Sequence, residues 1–504
     1  MTQAIQTSAI VGVIGAGAMG AGIAQVAALA GHTVLLYDLD AKALDKARDG
    51  IAANVQRLID KKKLDESTGR QAVDRVRIVT SLADLRTASL VIEAVAERLD
   101  VKRALFGELE SIVTSDCILA TNTSSISITA IAAPLKHPSR VVGMHFFNPA
   151  PLMALVEVVR GLATSDAVAQ TVYVTSSAWG KRPVHAKSTP GFIVNRVARP
   201  FYAEGLRVLG EQGADAFSID TVMRDSGGFR MGPFELMDLI GHDVNFAVTQ
   251  SVFNAYFNDP RFTPSLIQQE LVNAGYLGRK TGRGFYDYAA NAAKPAVRIE
   301  TSTRTPSKIV CGESVPLYER LQSRIADASI GRNDMPGLIA QIDDAWLFLT
   351  DGRTATERAH ALGIDNVVLI DLALDYANAQ SVALTRARQC NVDAYAAVVG
   401  ALTNAGYAVV PLIDVAGMAV MRTVAMLVNE AADAVNQGVC TSADLDLAME
   451  KGVNYPLGPL AWGERIGIGR VHEVLRHLAA HYGEDRYRAS PLISALSYSG
   501  QLFH

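Results

Sequence analysis

The sequence predicts a doubly wound parallel α/β sheet joined to an all-α domain, followed by a weaker second pass through both. Three observations carry this expectation. Apolar strand-like runs alternate with charged helical stretches up to about residue 188. Helical periodicity takes over from Thr189. From Gly191 onward the chain also repeats itself at a displacement of 226 residues.

Taken in order, Ala9 to Ile14 reads as a buried strand, Gly15 to Gly20 as a turn and Ala21 to Ala30 as a helix. Further strands are expected at Thr33–Tyr37, Leu90–Ile92, Cys117–Ala120 and Val141–Phe146. This is a Rossmann-type pattern covering 1–188. Thr189 is placed to cap a helix with Pro190 at its first position, which opens a helical domain over 189–288. Residues 289–308, rich in Ala, Pro and Thr, read as a linker. Within 309–403, strands are expected at Trp346–Thr350 and Val367–Asp371, and a further one at Tyr407–Ile413 opens 404–504. No GxGxxG precedes any of them, so 309–403 is expected to be a degenerate Rossmann-like domain without a second cofactor. The second helical copy, 404–504, carries the repeat. Gly191 falls on Gly417, Arg196 on Arg422, Glu204 on Glu430, Gly232-Pro233 on Gly458-Pro459 and Gly241 on Gly467.

Composition narrows the function. With 49% hydrophobic and 19% charged residues the chain is globular, and a net charge of -4 offers no general attraction for nucleic acid or an anionic membrane. Ala9 to Gly31 is apolar apart from Gln25, but its six glycines suit a tight turn better than a membrane span. The four cysteines, Cys117, Cys311, Cys390 and Cys440, form neither a disulfide framework nor a CxxC metal site, so a reducing cytoplasm is expected and no metal.

Two constellations carry chemistry. Gly15-Ala16-Gly17-Ala18-Met19-Gly20 lies between strand and helix, where backbone N–H groups can approach a pyrophosphate. Asp38, at the end of the next strand, is placed for a ribose diol and against a 2′-phosphate, favouring NAD over NADP. The second constellation is His145 and Glu157, each six residues from Pro151. A symmetric antiparallel pairing about that turn would set them opposite one another, and the carboxylate would then fix the imidazole tautomer for general-base work.

Those two sites, with Asn122-Thr123-Ser124-Ser125, His145-Phe146-Phe147-Asn148-Pro149, Leu155-Val156-Glu157, the Thr189–Arg196 stretch, Gly232-Pro233-Phe234-Glu235-Leu236 and Lys280-Thr281-Gly282-Arg283-Gly284-Phe285, resemble in this order the 3-hydroxyacyl-CoA dehydrogenase family from about residue 8 to 288. The resemblance implies His145 as base, Glu157 as its orienting partner, and Ser124 and Asn195 at the reacting end of the substrate. It implies NAD contacts from the glycine loop, Asp38, Glu97, Lys102, Ser124, Asn148 and Lys280. For CoA it implies Lys61, with Asn54 standing where the family usually has serine. The implied reaction is oxidation of an (S)-3-hydroxyacyl-CoA to the 3-oxoacyl-CoA.

Position 195 displaced by 226 is Met421, so the second copy is expected to be non-catalytic. It is expected instead to pack on the first as an intrachain pseudo-dimer, a homo-oligomer of the whole chain remaining open. The two-copy length is similar to bacterial members of the family that act on 3-hydroxyadipyl-CoA in phenylacetate breakdown. A 3-hydroxybutyryl-CoA dehydrogenase of fatty-acid or butanoate metabolism is the alternative, and a non-catalytic CoA- or NAD-binding assembly subunit is an alternative of another class. The 3-hydroxyisobutyrate and 6-phosphogluconate dehydrogenases fit less well, because the helix lysine those enzymes place four residues before an asparagine is Gly191 here.

Overall fold

The structure, a computed structural model, describes residues 3–293, 295–312, 315–326 and 335–504. Lys294 of the expected linker, and 313–314 and 327–334 of the expected degenerate domain, lie outside the described residues. The chain divides into two compact units, Met1–Arg196 with Gln437–Val453, and Val197–Asn436 with Asn454–His504.

The first unit is built on eight strands: β1 (Ile10–Ile14), β2 (Val34–Tyr37), β3 (Val76–Val79), β4 (Ala88–Glu93), β5 (Ile118–Thr121), β6 (Val141–Phe146), β7 (Leu155–Arg160) and β8 (Arg182–Lys187), in the spatial order β3-β2-β1-β4-β5-β6-β7-β8. The sheet is parallel except between β6 and β7. β1, β4 and β5 are almost wholly buried, as the unbroken apolar runs require of strands covered on both faces. Beneath them Ile23, Ala24 and Ala27 of the helix Ala18–Leu29 pack against Val11, Val13 and Val34 in one core.

The second unit contains a six-stranded mixed sheet: β9 (Ile309–Cys311), β10 (Leu338–Ile342), β11 (Ala345–Leu349), β12 (Val367–Ile370), β13 (Ser381–Arg386) and β14 (Ala408–Pro411), ordered β14-β13-β12-β11-β10-β9. Here β11–β12 and β13–β14 are parallel and the other pairings antiparallel. The expected strands at 346–350, 367–371 and 407–413 correspond to β11, β12 and β14; β9, β10 and β13 were not anticipated. Two helices of this unit, Arg199–Gly210 and Val420–Asn436, pack together, with buried Arg422 donating to Glu204 (2.8 Å) and Glu211 (2.9 Å). Among the described residues no helix is long and apolar enough to cross a membrane, and all four cysteines are free thiols.

One local expectation is corrected. Thr189 does not cap a helix and Pro190 does not begin one: Gly191 and Phe192 have φ of +74° and +47°, and the helix starts at Val194. The N–H groups of Ile193 and Val194 are satisfied by a carboxylate from another strand, Glu157, at 3.0 Å each, so a tertiary contact takes the place of the local cap.

Candidate active site

The glycine turn sits between β1 and the helix Ala18–Leu29. At Gly15, where φ is +100°, a Cβ would lie 2.6 Å from the Ala94 carbonyl, and at Gly20 a Cβ would lie 1.7 Å from the Gly15 carbonyl. Neither position admits a side chain. Gly17 faces open space and, as the N-cap, brings no side-chain bond to the first turn, which leaves those N–H groups for an anion. Ala18 is exposed, and Met19 leans on the sheet core. Asp38, just beyond β2, is held at the rim because its two oxygens accept the N–H of Ala16 (2.6 Å) and of Asp40 (2.9 Å). An open turn, a helix start without a side-chain cap and a fixed carboxylate fit the pyrophosphate and ribose of NAD.

Across β4 and β5 lies a polar network. Lys102, 1% exposed, bridges Glu93 (2.6 Å) and Glu97 (3.3 Å). Oε1 of Glu97 in turn accepts from the Thr123 hydroxyl (2.6 Å) and the Ser124 and Ser125 N–H groups (2.9 and 3.2 Å). Burial alone would raise the Glu97 pKa, but the Thr123 bond, the Lys102 charge and the Ser124 N–H outweigh it and hold the carboxyl below its ordinary range. Glu97 and Lys102 therefore set the shape of the Ser124 turn. Asn122 pins the same turn to β6 by accepting the Phe146 N–H (2.8 Å).

β6 and β7 pair with His145 directly opposite Glu157. His145 Nδ1 lies 2.6 Å from Glu157 Oε2, while Oε1 accepts the Ile193 and Val194 N–H groups. Both side chains are buried, His145 at 5% exposure and Glu157 at 0%. With Nδ1 engaged, Nε2 is the ring nitrogen left for chemistry, and the rings of Phe147 (4.5 Å) and Phe192 (5.8 Å) flank the imidazole. Asn195 follows Val194 and places its amide 3.5 Å from the Ser124 carbonyl, so the two expected substrate contacts meet. Asn148 is exposed at the end of the His145 motif.

The expected CoA contacts are less committed. Asn54 bonds Gln25 (3.3 Å) and Arg57 (2.6 Å), and Lys61 is exposed where the helix Ala41–Asp60 ends. Arg57, on the turn between them, is a cation the sequence reading passed over. Lys280 belongs to the second unit and pairs with Asp243, which lowers the Asp243 pKa. Its glycine-rich motif wraps buried Asp238, which accepts the Phe285 and Tyr286 N–H groups; a Cβ at Gly284 would lie 2.1 Å from that carboxylate. Asp351, Glu473 and His477 bring ligand atoms within 4.8 Å of one another, but Arg353 and Arg358 already neutralise Asp351, so this is an ion-pair cluster.

A dinucleotide turn in the same sheet as a histidine–carboxylate pair defines a nicotinamide-dependent alcohol dehydrogenase. The family profile described as "3-hydroxyacyl-CoA dehydrogenase, NAD binding domain" matches residues 10–189, and that of the "3-hydroxyacyl-CoA dehydrogenase, C-terminal domain" matches 191–288 and again 417–503. Residues 347–415 match the "3-hydroxybutyryl-CoA dehydrogenase reduced Rossmann-fold domain". The chain belongs to the 3-hydroxyacyl-CoA dehydrogenase family, and its cofactor is NAD. It is 47% identical over 484 residues to a 3-hydroxyadipyl-CoA dehydrogenase of Escherichia coli K12, covering 96% of each chain. It is 42% identical to a 3-hydroxybutyryl-CoA dehydrogenase of Bradyrhizobium diazoefficiens, over 56% of this chain and 96% of the relative. The crystal structure of an E. coli 3-hydroxybutyryl-CoA dehydrogenase superposes with a TM-score of 0.90 at 45% identity, over 98% of this chain and all of that one.

Proposed function

We propose that the protein oxidises (S)-3-hydroxyadipyl-CoA to the 3-oxo thioester in the cytoplasm, within phenylacetate catabolism. The observation that carries the reaction is the buried His145–Glu157 pair at 2.6 Å with Nε2 left over. Glu157 keeps the proton on Nδ1, so Nε2 accepts the proton of the C3 hydroxyl, and the same carboxylate stabilises the imidazolium that results. Ser124 and Asn195 hold the oxygen from which that proton leaves. Bound NAD supplies the hydride acceptor for C3. In the reverse direction imidazolium protonates the same oxygen. The glycine turn and Asp38 hold the dinucleotide, with Glu97, Lys102, Asn148 and Lys280 as further contacts, and Lys61 and Asn54 serve the CoA nucleotide.

The adipyl assignment is supported by the E. coli 3-hydroxyadipyl-CoA dehydrogenase, 47% identical over 96% of both chains. Specificity constants for 3-hydroxyadipyl-CoA and 3-hydroxybutyryl-CoA test it, and a preference for the shorter thioester overturns it. The organisation belonging to this reading is an NAD-binding domain over 1–188, a helical domain over 189–288, a linker, a degenerate domain over 309–403 and a non-catalytic helical copy over 404–504 that acts as an intrachain pseudo-dimer partner. Its support is the Arg422–Glu204 contact between the two helical copies. A fragment of residues 1–290 that runs as a well-behaved monomer in size exclusion with light scattering argues against the pseudo-dimer.

A further inference from the structure

The turn that joins β6 to β7 is gripped by a buried lysine that the proposed reaction does not use. Lys181, 8% exposed, donates from Nζ to the Ala150 carbonyl (2.6 Å) and the Met153 carbonyl (2.8 Å). Among the described residues no carboxylate pairs with it. No charge from the turn, from β8 or from the helix Asp166–Ala178 acts on it either, and burial alone lowers its pKa, to about 8. The turn bears on the cofactor site at two places. Asn148 stands exposed at its start. Ala150 and Pro151 abut the helix Ala18–Leu29, so closely that a Cβ at Gly22 would lie 3.1 Å from Ala150 Cβ and 3.0 Å from Pro151 Cδ. The start of that helix is the pyrophosphate turn.

The fold does not demand a charge at this position. Displaced by 226 residues, Lys181 becomes Tyr407, Ala150 becomes Tyr376, Arg182 becomes Ala408 and Ala154 becomes Gln380. The local pairing is the same in both sheets. The Arg182 N–H donates to the Ala154 carbonyl at 2.8 Å and the Ala408 N–H to the Gln380 carbonyl at 3.0 Å. The Tyr407 hydroxyl donates to the Tyr376 carbonyl as Lys181 does to that of Ala150. A neutral phenol, with its single hydrogen, thus closes the entry to β14 in the copy that has no GxGxxG. An ammonium in the same place costs desolvation, and what it adds is a second charge-assisted bond, to Met153. We infer that Lys181 is a positioning residue for NAD: its two bonds hold the β6–β7 turn against the nucleotide helix and keep Asn148 at the dinucleotide. The Asn148 part rests on the contact proposed above, and the Gly22 part stands without it.

The test uses the full-length enzyme and Lys181→Tyr, which imports the residue of the second copy. NADH dissociation constants are read by fluorescence titration, which needs no acyl substrate and so does not depend on the substrate assignment. KM values for NAD and for 3-hydroxyadipyl-CoA are read through NADH absorbance. Losing one of two charge-assisted bonds is expected to weaken NADH binding and raise the NAD KM about tenfold, with the thioester KM within about twofold. A residue that served stability alone would lower the folded fraction, and with it kcat, and leave both constants in place. Lys181→Arg keeps the charge and more than one donor, and recovers most of the affinity. In wild type, NADH binding weakens between about pH 7 and pH 9 as the ammonium is lost, whereas in Lys181→Arg it stays flat. That pair of titrations decides the matter if Lys181→Tyr does not fold. The inference is overturned by folded Lys181→Tyr binding NADH within about twofold of wild type, or by wild-type binding that does not change through pH 8. Asn148→Ala, measured alongside, separates the two parts: if it leaves NADH binding unchanged, the Asn148 contact falls and the effect of Lys181 runs through Gly22.

Discussion

The β6–β7 pair of the first sheet and the β12–β13 pair of the second meet the same structural problem with different residues. In the first, His145 faces Glu157, and Glu157 faces Val184 of β8. In the second, the Asp371 N–H donates to Ala383 at 3.0 Å, and Ala383 faces Val410 of β14. A displacement of 226 carries His145 to Asp371, Glu157 to Ala383 and Val184 to Val410. The carboxylate has changed strands, yet it still closes a helix start. Asp371 accepts the N–H groups of Ala419 (2.9 Å), Val420 (2.7 Å) and Met421 (2.9 Å), where Glu157 accepts those of Ile193 and Val194. Even the strained approach recurs, with Phe192 at φ +47° and Met418 at +55°. Anchoring a helix to the sheet therefore needs only a carboxylate. Catalysis needs the carboxylate to spare one oxygen for an imidazole.

The largest separation between the two regions is expected in activity. His145→Ala lowers kcat for 3-hydroxyacyl-CoA oxidation by about 10³-fold or more, followed through NADH absorbance, because it removes the base proposed to accept the hydroxyl proton. A rate within tenfold of wild type removes His145 from the chemistry. Glu157→Gln comes next, at about 10²-fold. The glutamine has one oxygen, and two backbone donors claim it. Its amide N–H then faces Nδ1 and drives the proton to Nε2, the tautomer that cannot act as base. Expected effects of Asp371→Asn on kcat are within twofold.

Stability reverses the ranking of the carboxylates. Asp371 is 1% exposed, and every acceptor position it offers serves a backbone N–H. Replacing one oxygen by an amide leaves buried donors facing donors, so Asp371→Asn costs about 2–4 kcal/mol at pH 7, where the carboxylate is ionised, by denaturant unfolding. A cost below about 0.5 kcal/mol shows that the helix start finds its acceptors elsewhere.

The facing of His145 and Glu157 was readable from sequence because two prolines mark the turn, and counting outward from Pro151 finds both partners. The glycine turn was readable for a similar local reason. What escaped depends on contacts far away in the chain. Thr189-Pro190 has the composition of a helix start, but the capping oxygen comes from Glu157, more than thirty positions earlier. β8 contains Pro183, and β13 begins in the polar Gln380-Ser381, so neither carried a clean strand signal. The exchange of His145 and Glu157 for Asp371 and Ala383 needed the sheet register, which no residue pattern fixes when one partner is alanine. Glu97 and Lys102 could be placed at the site by resemblance, but their joint hold on the Ser124 turn is a property of three strands at once.

The smallest effect concerns proton binding in the second copy. Burial pushes the Asp371 carboxyl up, the four backbone donors pull it down, and the balance leaves it raised to about 6 from 3.8. A folded value above the unfolded one means that the folded chain holds this proton more tightly. The resulting stabilisation is complete below pH 3.8 and fades as the pH rises through about 6. Asparagine does not titrate, so the stability gap between wild type and Asp371→Asn should narrow by about 2–2.5 kcal/mol between pH 4 and pH 7. Denaturant midpoints at the two pH values measure that gap. A gap that is constant, or that widens with pH, means the carboxylate is ionised throughout, and the helix N–H groups then hold Asp371 as firmly as a charged partner would.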